Sequence, residues 1–380
     1  MLLKLCIWMN IPSHYQSAFF QAVEERSDVD LRVVYLNGAS SARAAEGWRD
    51  THSYQPFECS AEGTDLLENI DQLVPDWAER IHLISSNFAP DLVDLFCKKG
   101  ALWCHWSEMP GIRLAELLGY RISLYRLFSP LTLLCKRNEG RRIREHALGA
   151  FGQGWLARRA FHTMGISDKT IVDLYYVPAA LKPMTPCDHI MEFAAGRKVF
   201  LSVGALCKRK GIDILLKSFS RLGTSKWSLV LCGLDKSGGQ YQTLAEKLGI
   251  TDRVLFLGAY PSDRIAEVYS AADVFILSSR FDGWGAVLNE AASLGIPLIA
   301  TDMCGAAWHL IEDGKNGFRV KGGAVSDLTQ NMRVYVKQQQ LINGHGRYSK
   351  ELFFREFTPE RNAERLVQGI SEFTGGRSIK

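Results

Sequence analysis

Two glycines and two acidic residues lie close together near position 285 of this 380-residue chain. The stretch reads Asp282-Gly283-Trp284-Gly285, and Glu290 follows eight residues after Asp282. Glycines allow a ligand to approach the backbone closely, and the free N–H groups at the start of a helix attract anions. Carboxylates accept hydrogen bonds, so hydroxyl groups are their natural partners. These residue types predict a site for a phosphate beside hydroxyl-rich groups. For Asp282 alone, an acidic helix start stabilised by the helix dipole is the alternative.

The segments on either side of this turn form a predicted β-loop-α-β unit. Val274–Leu277 is apolar without alternation, which is typical of a strand buried on both faces of a parallel sheet. A helix carrying Glu290 is predicted to end at Gly295, and Pro297 precedes the next strand at residues 298–300. The turn therefore lies at the carboxyl end of a strand, where open α/β sheets bind ligands. A phosphate with hydroxyl-rich neighbours there describes a nucleotide sugar.

Strands and helices alternate through the first half of the chain as well. Predicted strands cover residues 2–9, 31–36, 81–85 and 101–106, and Ser13 is a plausible cap for a helix. This alternation predicts a parallel sheet with helices on both faces. His105 and Glu108 follow a strand end, so both are candidate site residues. Side-chain alternation places only one of them in a cleft, and a core or surface role is open for each.

A run of prolines between positions 178 and 186 separates the two halves. Residues 175–178 are predicted to be the last strand before it and residues 198–203 the first strand after it. The length suits two domains. We expect an N-terminal domain at residues 1–180, a C-terminal domain at 190–355, and a final helix at 356–380 that begins at Thr358-Pro359.

Composition narrows the class of protein. The hydrophobic share of 47% and the charged share of 23% are those of a globular protein, and a net charge of +4 is too small to argue for nucleic-acid binding. Nine cysteines are scattered without metal-ligand spacing, which predicts a reduced, cytoplasmic protein and no metal site. No run approaches the roughly 20 apolar residues of a membrane span.

A basic segment at residues 121–144 departs from this average. It holds seven Lys and Arg against one acid, a local charge of +6, with Leu and Phe side chains between them. Such a segment can lie on the surface of an anionic membrane, which would make the protein peripheral at the inner face. A solvated helix packed on the domain core is the other interpretation.

The C-terminal half resembles the donor domain of retaining GT-B glycosyltransferases of family 4. The usual signature is Glu-Gly-Phe-Gly, four residues, then Glu-Ala, and this chain has Asp282-Gly283-Trp284-Gly285, four residues, then Glu290-Ala291. The resemblance is good over residues 198–325 and loose before them. It implies an α/β fold of the GT-B type, with two Rossmann-like, doubly wound parallel-sheet domains that face a cleft. The C-terminal helix would cross back to the N-terminal domain.

The resemblance also implies roles for single residues. Glu290 would hold the ribose, Lys210 the diphosphate and Asp282 the transferred sugar, while His105 or Glu108 would contact the reacting sugar. The implied donor-binding set is Gly204, Lys210, Gly283, Trp284, Gly285, Glu290 and Gly305.

Three positions depart from the family pattern. Asp282 replaces the usual Glu and is one methylene shorter, Ala205 replaces an Arg that reaches the diphosphate, and the first loop, residues 10–14, has no glycine. The second positive charge at the diphosphate would then come from Lys208 or Arg209.

The function implied by the resemblance is retaining transfer of a hexosyl group from a nucleotide diphosphate sugar. The acceptor would be a hydroxyl of a glycan or lipid-linked molecule, in cell-surface polysaccharide or glycoconjugate biosynthesis. No metal and no cofactor besides the donor substrate are expected. A nucleotide-sugar epimerase and a non-catalytic nucleotide-sugar binding protein are the alternatives. A dinucleotide oxidoreductase is disfavoured because no Gly-x-Gly-x-x-Gly follows either domain's first strand.

Overall fold

The chain forms two parallel sheets, each with hydrophobic core on both faces. The computed structural model describes residues 2–38, 52–86, 89–109, 112–120, 137 and 140–375. Two layers of helices on one sheet require strands that are apolar on both sides. In the second sheet Phe200, Leu229 and Ile276 face one core, and the neighbouring Leu201, Val230 and Phe275 face the other. This explains why the strands read as continuous apolar runs.

The N-terminal sheet has seven strands in the order β3-β2-β1-β4-β5-β6-β7. The strands are β1 Leu3–Met9, β2 Val29–Tyr35, β3 Glu58–Ser60, β4 Ile81–Ile84, β5 Trp103–Ser107, β6 Gly149–Gly152 and β7 Ile171–Asp173. The helices described among them are α1 His14–Glu24, α2 Leu66–Leu73, α3 Pro90–Lys99, α4 Ile112–Leu117, α5 Arg141–His146 and α6 Trp155–Thr163. The strand order reverses between β1 and β4.

The C-terminal sheet has six strands in the order β10-β9-β8-β11-β12-β13. They are β8 Lys198–Val203, β9 Trp227–Cys232, β10 Val254–Gly258, β11 Val274–Leu277, β12 Leu298–Thr301 and β13 Gly317–Val320. The helices are α7 Asp188–Ala194, α8 Ile212–Ser220, α9 Gln240–Lys247, α10 Ile265–Ser270, α11 Val287–Ser293, α12 Ala307–Leu310, α13 Val325–Lys337 and α14 Leu341–Glu356. The order reverses between β8 and β11, so the loops after these strands open at the topological switch point.

A final helix, α15 (Pro359–Phe373), returns to the N-terminal half, as the resemblance to GT-B enzymes implies. Thr358 caps it by accepting a hydrogen bond from the Arg361 N–H. Leu366 and Ile370 are buried in the N-terminal core beside Phe19 of α1. The chain therefore passes between the two halves twice.

The junction between the halves differs from the prediction. Residues 175–178 do not form a strand, since the last strand of the first sheet is β7 and the backbone N–H and carbonyl of Tyr175 bond to the side chain of Asn362 instead. The prolines do not keep the whole junction irregular either, because α7 forms at Asp188–Ala194 and packs on the C-terminal core through Ile190. Ser13 lies at the N-cap position of α1, but its hydroxyl bonds to the Tyr176 hydroxyl at 2.8 Å instead of capping the helix.

None of the helices in the described part of the chain combines the length and apolar character that a bilayer crossing requires.

Candidate functional site

Two loops meet at the switch point of the C-terminal sheet, one after β8 and the other after β11. The first ends in a single turn of 3-10 helix, Lys208–Lys210, and then Gly211 in a left-handed conformation (φ +69°). A side chain at Gly211 would strike the carbonyl of Ser278, and the Ser278 hydroxyl donates to the carbonyl of Lys210 at 3.0 Å. The two loops are therefore held together through backbone groups, which fixes the position of Lys210.

Lys210 and Asp282 form an ion pair across these loops. Lys210 Nζ donates to Asp282 Oδ2 at 2.6 Å, and the Lys210 side chain lies over Gly204, where a Cβ would come within 3.3 Å of it. Burial by itself would raise the pKa of Asp282. The charges of Lys210 and Arg209 outweigh that effect and lower its pKa below the usual value. Asp282 is therefore an ionised, buried partner of two cations.

Arg209 is the second cation of this group. Its guanidinium lies 3.7 Å from Asp282 Oδ2 and donates to the carbonyl of Phe281 at 3.3 Å. Lys208 projects elsewhere, with its ammonium beside Gly119 of the N-terminal half. Of the two residues that could replace the missing arginine at Ala205, the structure therefore places Arg209 at the site.

The turn that follows Asp282 is bound to the loop after β12. The N–H of Gly305 donates to the carbonyl of Asp282 at 3.2 Å, and the N–H of Ala306 donates to that of Trp284 at 2.8 Å. A Cβ at Gly305 would collide with the carbonyl of Gly283. The Gly305 N–H, predicted to help hold a diphosphate, serves here to attach one loop to the other. Gly285 turns the chain into α11 with φ +91°.

The buried side chain of Trp284 holds the Gly283–Gly285 turn in place. Only 2% of it is exposed; its indole N–H donates to Asn289 Oδ1 at 3.0 Å, and its ring stacks on Tyr175 at 5.3 Å between centroids. The side chain is therefore committed to the protein interior. A ligand at this turn would meet its backbone.

Glu290 lies in the first turn of α11, which begins at Val287. It is 5% exposed, and its Oε2 accepts a hydrogen bond from the Tyr269 hydroxyl at 2.6 Å. Burial raises its pKa to about 7, although the Tyr269 hydrogen bond acts in the opposite direction. Near neutral pH both the protonated and the ionised form of this carboxyl are therefore populated.

The two N-terminal candidates take different positions. His105 is inside β5 and 1% exposed, with its ring nitrogens within 3.3 Å of the Ser86 N–H and 3.0 Å of the Ser107 hydroxyl. Burial lowers the pKa of His105 to about 4. Glu108 lies just beyond the strand, is exposed, and its carboxylate contacts Gly283 so closely that a Cβ there would overlap it. The structure therefore brings Glu108, and not His105, to the Gly283–Gly285 turn.

A group of aromatic residues joins the two halves next to this site. Trp155 at the start of α6 stacks on Trp308 with centroids 4.2 Å apart, and the Trp155 N–H donates to His309 Nε2 at 2.7 Å. Burial lowers the pKa of His309 to about 4, so it accepts this bond as a neutral ring. No feature of the sequence pointed to these residues. They are 153 and more positions apart, and no spacing pattern connects them.

A family model described as Glycosyl transferases group 1 matches residues 189–352, the segment that supplies Lys210, Asp282 and Glu290. This segment of the chain is similar to the group 1 glycosyl transferases. The matched segment begins in α7 and ends in α14, so it contains the whole C-terminal sheet.

Curated relatives align to the same part of the chain. A D-inositol 3-phosphate glycosyltransferase from Corynebacterium jeikeium is 31% identical over 178 residues, 44% of this chain and 42% of the relative. A lipopolysaccharide core biosynthesis glycosyltransferase, LpsE, from Rhizobium meliloti is 27% identical over 179 residues, 47% of this chain and 51% of the relative. The chain thus spans about half the length of the curated relatives it matches.

Solved structures cover both halves. The Anabaena protein Alr3699/HepE, crystallised in complex with UDP, superposes with a TM-score of 0.74 at 15% identity, covering 98% of this chain and 100% of that one. At this identity the likeness concerns the fold. It confirms the prediction of two parallel-sheet domains in the GT-B arrangement.

Proposed function

We propose that this protein is a retaining glycosyltransferase of family 4 that transfers a hexosyl group from a nucleotide diphosphate sugar to a hydroxyl of a glycan or lipid-linked acceptor. The observation that carries the proposal is the convergence of groups at one switch point. Two cations, Lys210 and Arg209, lie beside the Gly283–Gly285 turn, Glu290 follows in the next helix, and Glu108 contacts the turn from the facing domain.

The charges suit the chemistry of sugar transfer. Breaking the bond between sugar and phosphate leaves negative charge on the diphosphate and positive character on the sugar. Lys210 and Arg209 would stabilise the first, in a partly buried setting where charge interactions are stronger than in water. Glu108 would act on the second. Charged side chains that are already held in position, like these three, stabilise the transition state without reorganising during the reaction.

Asp282 takes a role in this scheme that differs from the one implied by the resemblance. Its carboxylate bonds Lys210 at 2.6 Å and lies 3.7 Å from Arg209, so it neutralises and orients the two cations that would hold the diphosphate. Contact of Asp282 with the transferred sugar stays a second proposal for this residue. Glu290 would accept hydrogen bonds from the ribose hydroxyls.

The names of the similar proteins support the choice of substrates. The Anabaena protein was crystallised with UDP and, separately, with UDP-glucose. Two relatives are named a D-inositol 3-phosphate glycosyltransferase and a lipopolysaccharide core biosynthesis glycosyltransferase. We propose a UDP-sugar as the donor class and a hydroxyl of a glycan or lipid-linked glycan as the acceptor class.

A thermal-shift screen tests the donor class. UDP and UDP-sugars are expected to raise the unfolding temperature, because a ligand that binds only the folded state stabilises it by mass action. GDP and GDP-sugars form the comparison set. A nucleotide-sugar epimerase would convert the sugar without added acceptor, and a binding protein would not convert it at all; a transferase consumes the donor much faster when an acceptor is present. Stabilisation by none of these nucleotides would contradict the proposal.

Transfer is expected to continue in EDTA. The reason is that Lys210 and Arg209 already provide positive charge where the diphosphate would lie. In the described part of the chain no group of three or more His, Cys, Asp or Glu side chains is arranged to hold a metal ion. The measurement is the initial rate of donor consumption before and after chelation, with Mg²⁺ or Mn²⁺ added back. Loss of activity in EDTA and its recovery with either ion would show that a metal holds the diphosphate.

Peripheral attachment to anionic membranes through residues 121–144 is a further part of the proposal. Residues 121–136, 138 and 139 lie outside the described part of the chain. Among the others Arg137 is exposed, Arg141 pairs with Glu145, and Arg142 pairs with Asp94 at 2.9 Å. Each basic residue near an anionic surface contributes about 1 kcal/mol, and salt screens the interaction.

We therefore expect salt-sensitive co-sedimentation with vesicles that contain an anionic lipid, and weak co-sedimentation with neutral vesicles. Changing Arg137, Arg141 and Arg142 to Glu should abolish the preference. A matched control changes three exposed lysines of the C-terminal domain to Glu: Lys226, Lys247 and Lys337. Equal loss of binding in both triple variants would mean that net charge alone, and not this segment, attracts the membrane.

A further inference from the structure

The carboxylate of Glu290 is held from behind by a residue that no ligand can reach. Tyr269 lies in α10, is 0% exposed, and packs in the C-terminal core against Phe275 with ring centroids 5.6 Å apart. Its hydroxyl donates to Glu290 Oε2 at 2.6 Å and lies 3.4 Å from the carbonyl of Val287 at the start of the same helix.

The hydrogen bond between Tyr269 and Glu290 offsets the free-energy cost of burying both groups. A buried phenol hydroxyl and a buried carboxyl each carry a desolvation penalty unless they are hydrogen-bonded, so each is the partner that the other needs. A tyrosine side chain has few rotatable bonds, and its ring is fixed here by the surrounding core. The position of the Tyr269 hydroxyl is therefore fixed, and its hydrogen bond fixes the position of one Glu290 carboxylate oxygen.

We propose that Tyr269 is a positioning residue for Glu290, fixing one carboxylate oxygen so that the other is presented to the ribose hydroxyls of the donor. The inference rests on the proposed function through the role of Glu290. Tyr269 itself has no exposed surface and does not contact the donor. Its effect on donor binding is therefore exerted through the rotamer and the charge of Glu290.

The hydrogen bond also affects the proton equilibrium of Glu290. Burial raises the pKa of Glu290 to about 7, and the bond from Tyr269 partly offsets this rise because it favours the ionised form. In the described part of the chain, the other titratable groups that act on this pair include Cys232 at the end of β9, whose pKa burial raises to about 12, and Tyr15 of α1. Loss of the Tyr269 hydroxyl is therefore expected to move the titration of Glu290 to higher pH.

The experiment measures the dissociation constant of UDP by calorimetry at several pH values between 6 and 9, with GDP as a second probe. In the wild type, binding should strengthen as the pH rises through about 7 and Glu290 ionises. Tyr269→Phe should weaken binding about tenfold at pH 7 and shift the midpoint upward. The β-phosphate of UDP titrates near pH 6, but it does so equally for every variant, so comparison between variants removes its contribution.

Tyr35→Phe is the matched control. Tyr35 is also buried, at 1% exposure, and its hydroxyl donates to a buried carboxylate, Glu58, at 2.7 Å in the N-terminal sheet. Both variants lose the same hydroxyl from the same kind of pair, so any general destabilisation should appear in both thermal unfolding curves. Only Tyr269→Phe should change UDP binding and its pH dependence.

Glu290→Ala separates this inference from the proposed function. If that variant binds UDP and GDP as the wild type does, the donor-site assignment itself is wrong. If it weakens binding while Tyr269→Phe matches Tyr35→Phe in affinity and in pH midpoint, the donor site stands and the positioning role of Tyr269 is overturned. A combined Tyr269→Phe, Glu290→Ala variant should bind UDP no more weakly than Glu290→Ala alone. The reason is that Tyr269 acts on UDP binding only through Glu290, which the second change has already removed.

Discussion

Replacing Lys210 with Met is expected to lower kcat/KM for the donor by about 10²–10³-fold, the size of effect seen when one charge-stabilising donor is removed from an active site. The ammonium is held 2.6 Å from Asp282 between two loops at the switch point, and its side chain lies over Gly204. Lys208 cannot replace it, since the Lys208 ammonium lies beside Gly119 instead. Steady-state kinetics with the donor identified by the thermal-shift screen provide the measurement.

Two further variants make this result interpretable. Lys208→Met removes the same charge from the same 3-10 turn and should leave kcat/KM within about twofold of the wild type, because surface charges contribute little. In Lys210→Met the Asp282 carboxylate keeps only Arg209 as a nearby cation, 3.7 Å away, and the fold could weaken for that reason. Combining it with Asp282→Asn removes that cost. If the double variant regains wild-type rates, Lys210 serves the structure and not the diphosphate.

Replacing Glu290 with Gln is expected to reduce donor use at least tenfold with the fold intact. Gln keeps the size of the side chain but removes the charge that strengthens hydrogen bonds to hydroxyl groups, a loss of roughly 1.5–3 kcal/mol. The effect should depend on pH. Burial raises the pKa of Glu290 to about 7, so below this value the wild type carries a neutral carboxyl and resembles the variant. The ratio of wild-type to variant kcat/KM should therefore grow as the pH rises from 6 to 8.5.

Glu58→Gln is the control for this change. Glu58 is a buried glutamate that, like Glu290, accepts from a buried tyrosine, but it belongs to the outer strand β3 of the N-terminal sheet. Its replacement should leave donor kinetics unchanged at every pH. Equal kinetics for Glu290→Gln and the wild type at pH 8.5 would remove the basis for assigning the ribose to this residue.

The C-terminal sheet could be predicted well from the sequence. Its strands are buried on both faces, so an unbroken apolar run gives both their existence and their ends: β8 and β11 begin and end at the predicted residues. The glycines on both sides of α11 were also predictable, because Gly283 and Gly285 lie in the turn before it and Gly295 lies where the chain turns after it. In this region the local sequence pattern predicts the same strands and turns that the fold contains.

The remaining features depend on contacts between residues that are distant in sequence. Residues 175–178 have the composition of a strand, but Asn362, 187 positions away from Tyr175, takes the backbone groups that a strand would use. Strand alternation restricted His105 and Glu108 to different faces without showing which face was buried. The choice between Lys208 and Arg209 depended on a single 3-10 turn, whose direction no propensity fixes.

The bond between Asn362 and Tyr175 has a mechanical consequence. The amide of Asn362 at the start of α15 both donates to and accepts from the backbone of Tyr175, at 2.7 and 3.0 Å, and so ties the returning chain to the outgoing chain at one place. Two connections fastened at one point allow rotation about that point but resist translation. A hinge rotation of the two halves relative to each other would then have its pivot at this contact. Groups close to the pivot would keep their spacing, while Glu108 and Gly283 would separate in proportion to their distance from it.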